Sequence, residues 1–189
     1  MKADRVNAFT DGVLAIVITI MVLELPVPEG TSFAALRPDL PLFGAYILSF
    51  INIGIYWNNH HHMMHSARRV DGRVLWANLG LLFWLSLIPF VIRWIGEAGV
   101  TAMPVAAFGI VLIFAALAYL LLERALIAAE SEESAIAKAV GAKRKEWLSL
   151  AFYLVAIIAA FFSPWLSVAI YAIVSATWLV PDRRFERRL

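Results

Sequence analysis

The chain has no cysteine and few charged residues. None of its 189 residues is Cys, and only 16% are Asp, Glu, Lys or Arg, whereas 62% are apolar. The absence of cysteine excludes disulfides, thiolate catalysis and cysteine-ligated metal or iron–sulfur centres. An apolar excess of this size over a typical soluble domain predicts an integral membrane protein with several spans and no separate soluble domain.

The motifs of common enzyme classes are also missing. The chain has no GxSxG, no P-loop and no GxGxxG, so hydrolase, kinase and dinucleotide chemistry have no support and we expect no enzyme. The potassium-filter sequence TVGYG is absent as well. Any ion selectivity would therefore come from side chains rather than from a loop of backbone carbonyls.

Six apolar segments are long enough to be membrane helices. They lie at about residues 9–25, 40–64, 74–94, 101–122, 147–162 and 165–180. The first would be about 25 Å long, just enough to span, and it has no small-x-small cleavage site, so we expect it to be retained. Ser163 and Pro164 leave only a tight turn between the last two. We therefore predict an all-α fold in which residues 1–189 form one domain of six transmembrane helices.

The basic residues predict the orientation of these helices. With both termini in the cytoplasm, only Arg37 and Arg93 of the 16 Lys and Arg residues face outward, which leaves 14 inside. The positive-inside rule therefore favours six spans with both termini cytoplasmic. The long polar segment 123–146 is expected to extend the fourth helix and then to form a solvated loop near anionic headgroups.

The first span carries a stripe of residues that could line a pore. At 100° per residue, one line along the helix holds Gly12, Ile16, Thr19, Ile20 and Leu23. Around a symmetry axis, this stripe would form apolar rings that close by dewetting, with one polar ring of Thr19 hydroxyls. Every face of the helix is apolar, however, and a lone Thr often bonds a backbone carbonyl one turn back. Periodicity alone therefore cannot tell a pore face from a lipid face, and it does not favour the pore.

Two polar groups mark the cytoplasmic end of the first two spans. Asp11 stands near the predicted start of the first helix, where the helix dipole favours an anion. The second segment ends in a cluster with all four histidines, of which His61 and His65 have a spacing that metals can use. No HExxH pattern completes a site, so we expect no metal. We expect one or two histidines to hydrogen-bond Asp11 or Arg5 instead.

These residues resemble a known family. Arg5, Phe9, Thr10 and Asp11 resemble the RxxxFSD signature that opens the first helix of the transmembrane protein 175 family, potassium channels of lysosomes and endosomes with prokaryotic homologues. Thr10 replaces the usual Ser and keeps the hydroxyl, so a capping or hydrogen-bonding role survives. Three further segments of the first half of the chain resemble the second and third helices of the family: Trp57-Asn-Asn-His60-His61, Arg69-x-Asp71 and Leu75-Trp76-x-Asn78-Leu79 with Pro89-Phe90.

The resemblance implies a potassium-permeable cation channel. Single-unit prokaryotic members assemble as homotetramers in which the first helices surround the pore. Counted from Asp11, the isoleucine constriction falls on Ile16, the threonine linked to selectivity on Thr19, and further apolar layers on Ile20 and Leu23. The network that holds the pore helix at its cytoplasmic side would comprise Arg5, Phe9, Thr10, Asp11, Trp57 and either His60 or His61.

The resemblance also implies partners and location. The partners would be other copies of the chain, membrane lipid, and potassium and other monovalent cations, with no cofactor and no nucleic acid. The expected location is a prokaryotic cell membrane, which the chain crosses several times. From its charge and position, we further expect Glu24 to concentrate cations at the outer mouth.

Three other functions stay open at this point. A secondary or proton-coupled transporter is the main alternative, although the middle of each span lacks the ionisable residue that this class usually needs. A membrane enzyme with a histidine-bound metal and a structural membrane protein without transport are the other two.

Overall fold

The structure, a computed structural model, describes residues 3–67, 69–130 and 144–179. Over these residues the chain folds into seven α-helices and one short 3-10 helix, Phe33–Asp39, which confirms the all-α prediction. The α-helices are α1 (Ala3–Leu23), α2 (Leu40–His65), α3 (Gly72–Ser86), α4 (Ile88–Ala98), α5 (Ala102–Glu130), α6 (Arg144–Ala160) and α7 (Pro164–Leu179). Most of the predicted polar loop and the basic tail, with Lys2 and Arg68, lie outside the described residues.

Within the part of the chain that the structure describes, four helical stretches are long and apolar enough to cross a membrane: Ala3–Leu23, Phe33–His65, Gly72–Ala98 and Ala102–Ala129. The described parts of α6 and α7 hold 17 and 16 residues, and they border directly on residues 131–143 and 180–189, which lie outside the described residues. The six crossings therefore stay a prediction. The first four of them correspond to the four stretches that are long and apolar enough to cross a membrane.

The predicted third span, 74–94, is not one continuous helix. It consists of α3 and α4, which are separated at Leu87, and it continues to Ala98. Pro89 has no N–H to donate to the preceding turn, and the Leu87 N–H donates to the Trp84 carbonyl at 3.2 Å, which tightens the chain at the break. An apolar window alone does not reveal such a proline break, and α3 and α4 together remain one candidate membrane span, Gly72–Ala98.

Other boundaries differ by a turn or more. α1 begins at Ala3 rather than near Phe9, and it ends at Leu23, before Pro26. The polar residues that precede the apolar run can be helical and solvated at the same time. Hydropathy therefore places the start of the first helix too late. The predicted extension of the fourth helix is confirmed as far as Glu130, and the tight turn before Pro164 is confirmed between α6 and α7.

α5 lies at the centre of the bundle and packs against α3, α4, α6 and α7. Its close contact with α7 is made at Gly109, where Tyr171 of α7 occupies the space that a side chain would need. The Tyr171 hydroxyl donates to the Val105 carbonyl at 3.2 Å. α6 joins the same cluster through Ala156 and Ala160, which are fully buried. Small residues let these backbones approach closely, as membrane helices require.

We expect Gly109→Ala to destabilise the bundle. A Cβ at this position lies 2.6 Å from Ile157 Cγ1 and clashes with the Tyr171 hydroxyl, so α5 and α7 must separate. Overpacking of this kind costs about 1–3 kcal/mol. The thermal unfolding midpoint of the detergent-solubilised protein measures it. Gly80→Ala is the matched control, because its Cβ meets nothing within 4 Å. Equal midpoints for the two variants would contradict the close contact.

Candidate pore helix and its hydrogen-bond network

α1 has one buried face and one exposed face. The buried residues are Val6, Thr10, Leu14, Val17 and Met21, which pack against α2, α3 and α4. Their spacing of three or four residues places them on one side of the helix. Burial in the chain therefore separates two faces that hydropathy alone cannot distinguish.

The exposed face of α1 holds the predicted pore stripe. Ile16 is 59% exposed, Ile20 41% and Leu23 80%, and Gly12 and Thr19 are exposed as well. All five residues point away from the bundle of their own chain. This apolar face is therefore available to lipid or to another copy of the chain.

Thr19 is the polar residue of this stripe. Its hydroxyl donates to the Ile16 carbonyl at 2.9 Å, one turn back in the helix. Because the proton is used inside the helix, the hydroxyl oxygen keeps its lone pairs for a group outside it. The arrangement can offer an oxygen ligand to a cation between two layers of isoleucine.

Asp11 binds Trp57 rather than a histidine. The Trp57 indole N–H donates to Asp11 Oδ1 at 2.9 Å and so joins α1 to α2. Asp11 lies in the third turn of α1, because the helix begins at Ala3. The expected stabilisation of Asp11 by the helix N-terminus is therefore wrong, since that effect fades within the first turn.

Thr10, His60 and Asn78 form a buried hydrogen-bonded cluster between three helices. Each of these three residues is at most 2% exposed. The Asn78 amide donates to Thr10 Oγ1 at 3.0 Å, and Asn78 Oδ1 lies 2.8 Å from His60 Nε2. An amide oxygen only accepts, so His60 Nε2 carries the proton. Thr10 thus bonds across to α3 and does not cap α1, which begins well before it.

The remaining residues of the predicted network lie at its edge. His61 Nδ1 is 3.5 Å from the Asn7 side-chain amide, and the His61 ring stacks on His65 with centroids 6.2 Å apart. Phe9 is 54% exposed and Arg5 is exposed too. Among the described residues, Arg5 forms no ion pair, so both residues lie on the exposed side of α1 rather than in the cluster.

Two asparagines that sequence reasoning did not select complete the network. Asn78 is the central member of the buried cluster, and Asn7 is the partner of His61. The signal for Asn78 was present, since it is the only amide in an otherwise apolar segment and belongs to a motif that resembles the family. Its partners are far away in the sequence, and a single chain gives no evidence of such pairs.

The other end of α1 contacts α4. Arg93 Nε lies 3.9 Å from Glu24 Oε2 and 2.9 Å from Glu97 Oε1. The Arg93 side chain is 62% exposed, so these pairs add little stability. The positive charge of Arg93 does lie beside Glu24. It weakens the negative potential that Glu24 was expected to create at the outer mouth of the pore.

Within residues 3–67, 69–130 and 144–179, no group of three or more His, Asp or Glu could hold a metal ion. The stacked pair of His61 and His65 has no carboxylate beside it that would complete a site.

Several known proteins are similar to this chain. The family described as "Endosomal/lysosomal potassium channel TMEM175", the transmembrane protein 175 family, has a sequence model that matches residues 5–89. A potassium channel of Chryseobacterium sp. is 52% identical over 189 residues, which is 100% of this chain and 98% of that protein. A potassium channel of Chamaesiphon minutus is 32% identical over 181 residues, or 89% of each chain.

A vertebrate relative and a solved structure extend the comparison. The human endosomal/lysosomal proton channel TMEM175 is 35% identical over 99 residues, which is 46% of this chain and 19% of the human protein. The crystal structure of a lysosomal potassium-selective channel TMEM175 homolog from Chamaesiphon minutus superposes with a TM-score of 0.77 at 25% identity and covers 94% of this chain and 96% of that one. The long apolar helices and these relatives make the protein an integral, multi-pass membrane protein. The chain belongs to the TMEM175 family, a family of ion channels and not of enzymes.

Proposed function

We propose that the protein is a potassium channel of a prokaryotic cell membrane whose pore is lined by α1. One observation carries the proposal: the stripe from Ile16 to Leu23 is exposed, whereas the opposite face of α1 is buried in its own chain. Two bacterial relatives that align with most or all of this chain are named potassium channels. Potassium and other monovalent cations are the permeant ions, and the channel uses no cofactor and no metal.

Four copies surround one central axis in this proposal, as the family resemblance implies. Ile16, Ile20 and Leu23 then form stacked apolar rings. A narrow apolar ring expels water and blocks ions, and a small widening lets ions through. Thr19 adds a ring of hydroxyl oxygens between Ile16 and Ile20. These atoms are the ligands that discriminate potassium from sodium.

The proposed topology has six crossings, one domain over residues 1–189 and both termini in the cytoplasm. α6 and α7 supply the last two crossings, and both pack against α5. The surplus of Lys and Arg on the side of the α1 N-terminus supports this orientation.

The alternative is a proton-coupled function, since the vertebrate relatives are named proton channels. Transporters of protons carry ionisable residues near the middle of the membrane. Between Asp11 and Glu24, α1 has no ionisable side chain. A proton-flux measurement on the same liposomes, with a pH-sensitive dye, decides between the two functions: a pH change under a potassium gradient that exceeds the change in protein-free liposomes with valinomycin favours coupling, whereas an equal change is what a potassium channel gives.

We expect Ile16→Ser to increase potassium flux through the purified protein in liposomes. A hydroxymethyl group in place of the sec-butyl side chain wets the apolar ring. A barrier lower by about 1.4 kcal/mol raises the rate about tenfold. Ile158→Ser is the matched control, because Ile158 of α6 is 56% exposed, close to the 59% of Ile16. Equal flux changes in both variants, or none in either, would remove Ile16 from the pore.

We expect Thr19→Val to lower the preference for potassium over sodium. Valine keeps the shape and removes the oxygen ligand. The reversal potential in planar bilayers with potassium on one side and sodium on the other measures this preference. Thr177→Val is the control, because the Thr177 hydroxyl also donates to a carbonyl three residues back, Val174, but lies in α7. An unchanged reversal potential for Thr19→Val would contradict the assigned role.

The proposed network holds α1 in its orientation, and Asn78→Leu tests this. The change leaves the Thr10 hydroxyl and the His60 ring buried without Asn78, at about 1–3 kcal/mol for each group. We expect a lower thermal midpoint and altered potassium flux. Asn58→Leu is the control, since Asn58 is half-buried and forms no side-chain hydrogen bond with the described residues. Wild-type stability and flux in Asn78→Leu would show that the cluster does not hold α1.

A further inference from the structure

A cavity lies inside the bundle on the side away from α1. It is lined by α2, α5, α6 and α7, near the ends of these helices that carry Glu146 and Trp178, and it is partly open to the outside. Its volume is about 60 Å³. One water needs about 10–15 Å³ on this measure, so the cavity has room for about four to six groups of that size.

Four of the eleven residues that line the cavity are aromatic. Tyr56 and Tyr119 face each other with centroids 6.0 Å apart and planes at 60°, and Tyr153 and Trp178 line the cavity as well. The Trp178 indole N–H donates to Ser149 Oγ at 2.9 Å, which fixes the orientation of the ring. The wall is therefore set in place before any ligand arrives.

A carboxylate also lines the cavity. Glu146 Oε2 is fully enclosed and has no hydrogen-bond partner among the described residues. A second carboxylate, that of the buried Glu123, follows Tyr119 by one turn of α5. An enclosed carboxylate oxygen without a partner is costly, and a cation removes that cost.

Trp178, one of the lining residues, already contacts an ammonium group of the protein. Lys145 Nζ lies 4.3 Å from the centroid of the Trp178 ring. The negative face of an aromatic ring attracts a cation at this distance. The same attraction is available from the Tyr rings on the inside of the cavity.

We propose that this cavity is a binding site for a small organic cation, an alkylammonium group held between aromatic faces and the Glu146 carboxylate. A bare potassium ion fits less well, because most of the wall is carbon and potassium prefers a shell of oxygen atoms. A neutral apolar molecule would leave Glu146 Oε2 without a partner. The inference does not depend on the pore, since no residue of α1 lines the cavity.

Titration calorimetry with tetramethylammonium chloride tests the site on the purified full-length protein in nanodiscs of phosphatidylglycerol. This cation has five heavy atoms, and 2-methylpropan-2-ol is a neutral molecule of the same shape and size. We expect saturable binding of the cation and at least about tenfold weaker binding of the alcohol, since only the cation gains the charge interaction. No saturable binding of the cation, or equal binding of the alcohol, would overturn the proposal.

Two variants locate the site. Glu146→Gln keeps the shape and removes the charge, and we expect it to weaken binding of the cation about tenfold. Tyr119→Leu keeps both carboxylates and removes one ring, so it remains informative if the first variant does not fold. Glu97→Gln is the matched control, because Glu97 is exposed at the opposite end of the bundle. Binding that survives unchanged in both cavity variants lies elsewhere and contradicts the inference.

Nanodiscs of different composition identify the source of the cation. Free amines and the headgroup of phosphatidylethanolamine carry the same ammonium group. The lipid headgroup occupies the cavity if added phosphatidylethanolamine weakens the binding of tetramethylammonium to the wild-type protein. The residual binding to Glu146→Gln should then stay unchanged. Equal affinity in both kinds of disc assigns the site to free amines.

Discussion

The hydrogen-bonded cluster of Thr10, His60 and Asn78 is the constraint on which the orientation of α1 depends. In lipid, apolar side chains gain almost nothing by turning toward a neighbouring helix, because acyl chains are equally apolar. α1 is apolar on every side, so hydrophobic burial does not choose its rotation. The polar groups do, since each would be left without a partner if it faced the hydrocarbon.

Two hydrogen-bonded connections fix the rotation of α1 about its own axis. A single connection would constrain that rotation less. The buried cluster joins α1 to α2 and α3, and the bond between Trp57 and Asp11 joins it to α2 one residue further along. Thr10 and Asp11 point in directions about 100° apart on the helix. Partners in two directions define one rotation, and in that rotation Ile16 and Leu23 point out of the bundle. The exposure of the proposed pore stripe is thus a consequence of polar contacts more than one helical turn away.

Sequence patterns predict some of this architecture and miss the rest for physical reasons. The second helix and the turn before Pro164 follow from composition, because a run of apolar residues and a proline act locally. The start of α1 and the break at Leu87 were missed. Hydropathy indicates whether a segment prefers lipid or water, but it does not indicate where the backbone is helical. The stripe from Gly12 to Leu23 was visible as a pattern, but its exposure was not. That property depends on Asn78, which lies 68 positions from Thr10 along the chain.

α2 connects the two parts of the bundle, because its two faces carry different sets of polar residues. Trp57 and His60 face α1 and α3, whereas Asn52, Tyr56 and Asn59 line the cavity shared with α5, α6 and α7. Asn52 also accepts from Ser175 of α7 at 3.1 Å. The family model matches residues 5–89, which hold α1, α2, α3 and the start of α4. The helices that follow pack against α2, α3 and α4, and these three helices are the ones that contact α1. Because α2 carries both Trp57 and His60, one helix provides the partner of Asp11 and a member of the cluster that binds Thr10.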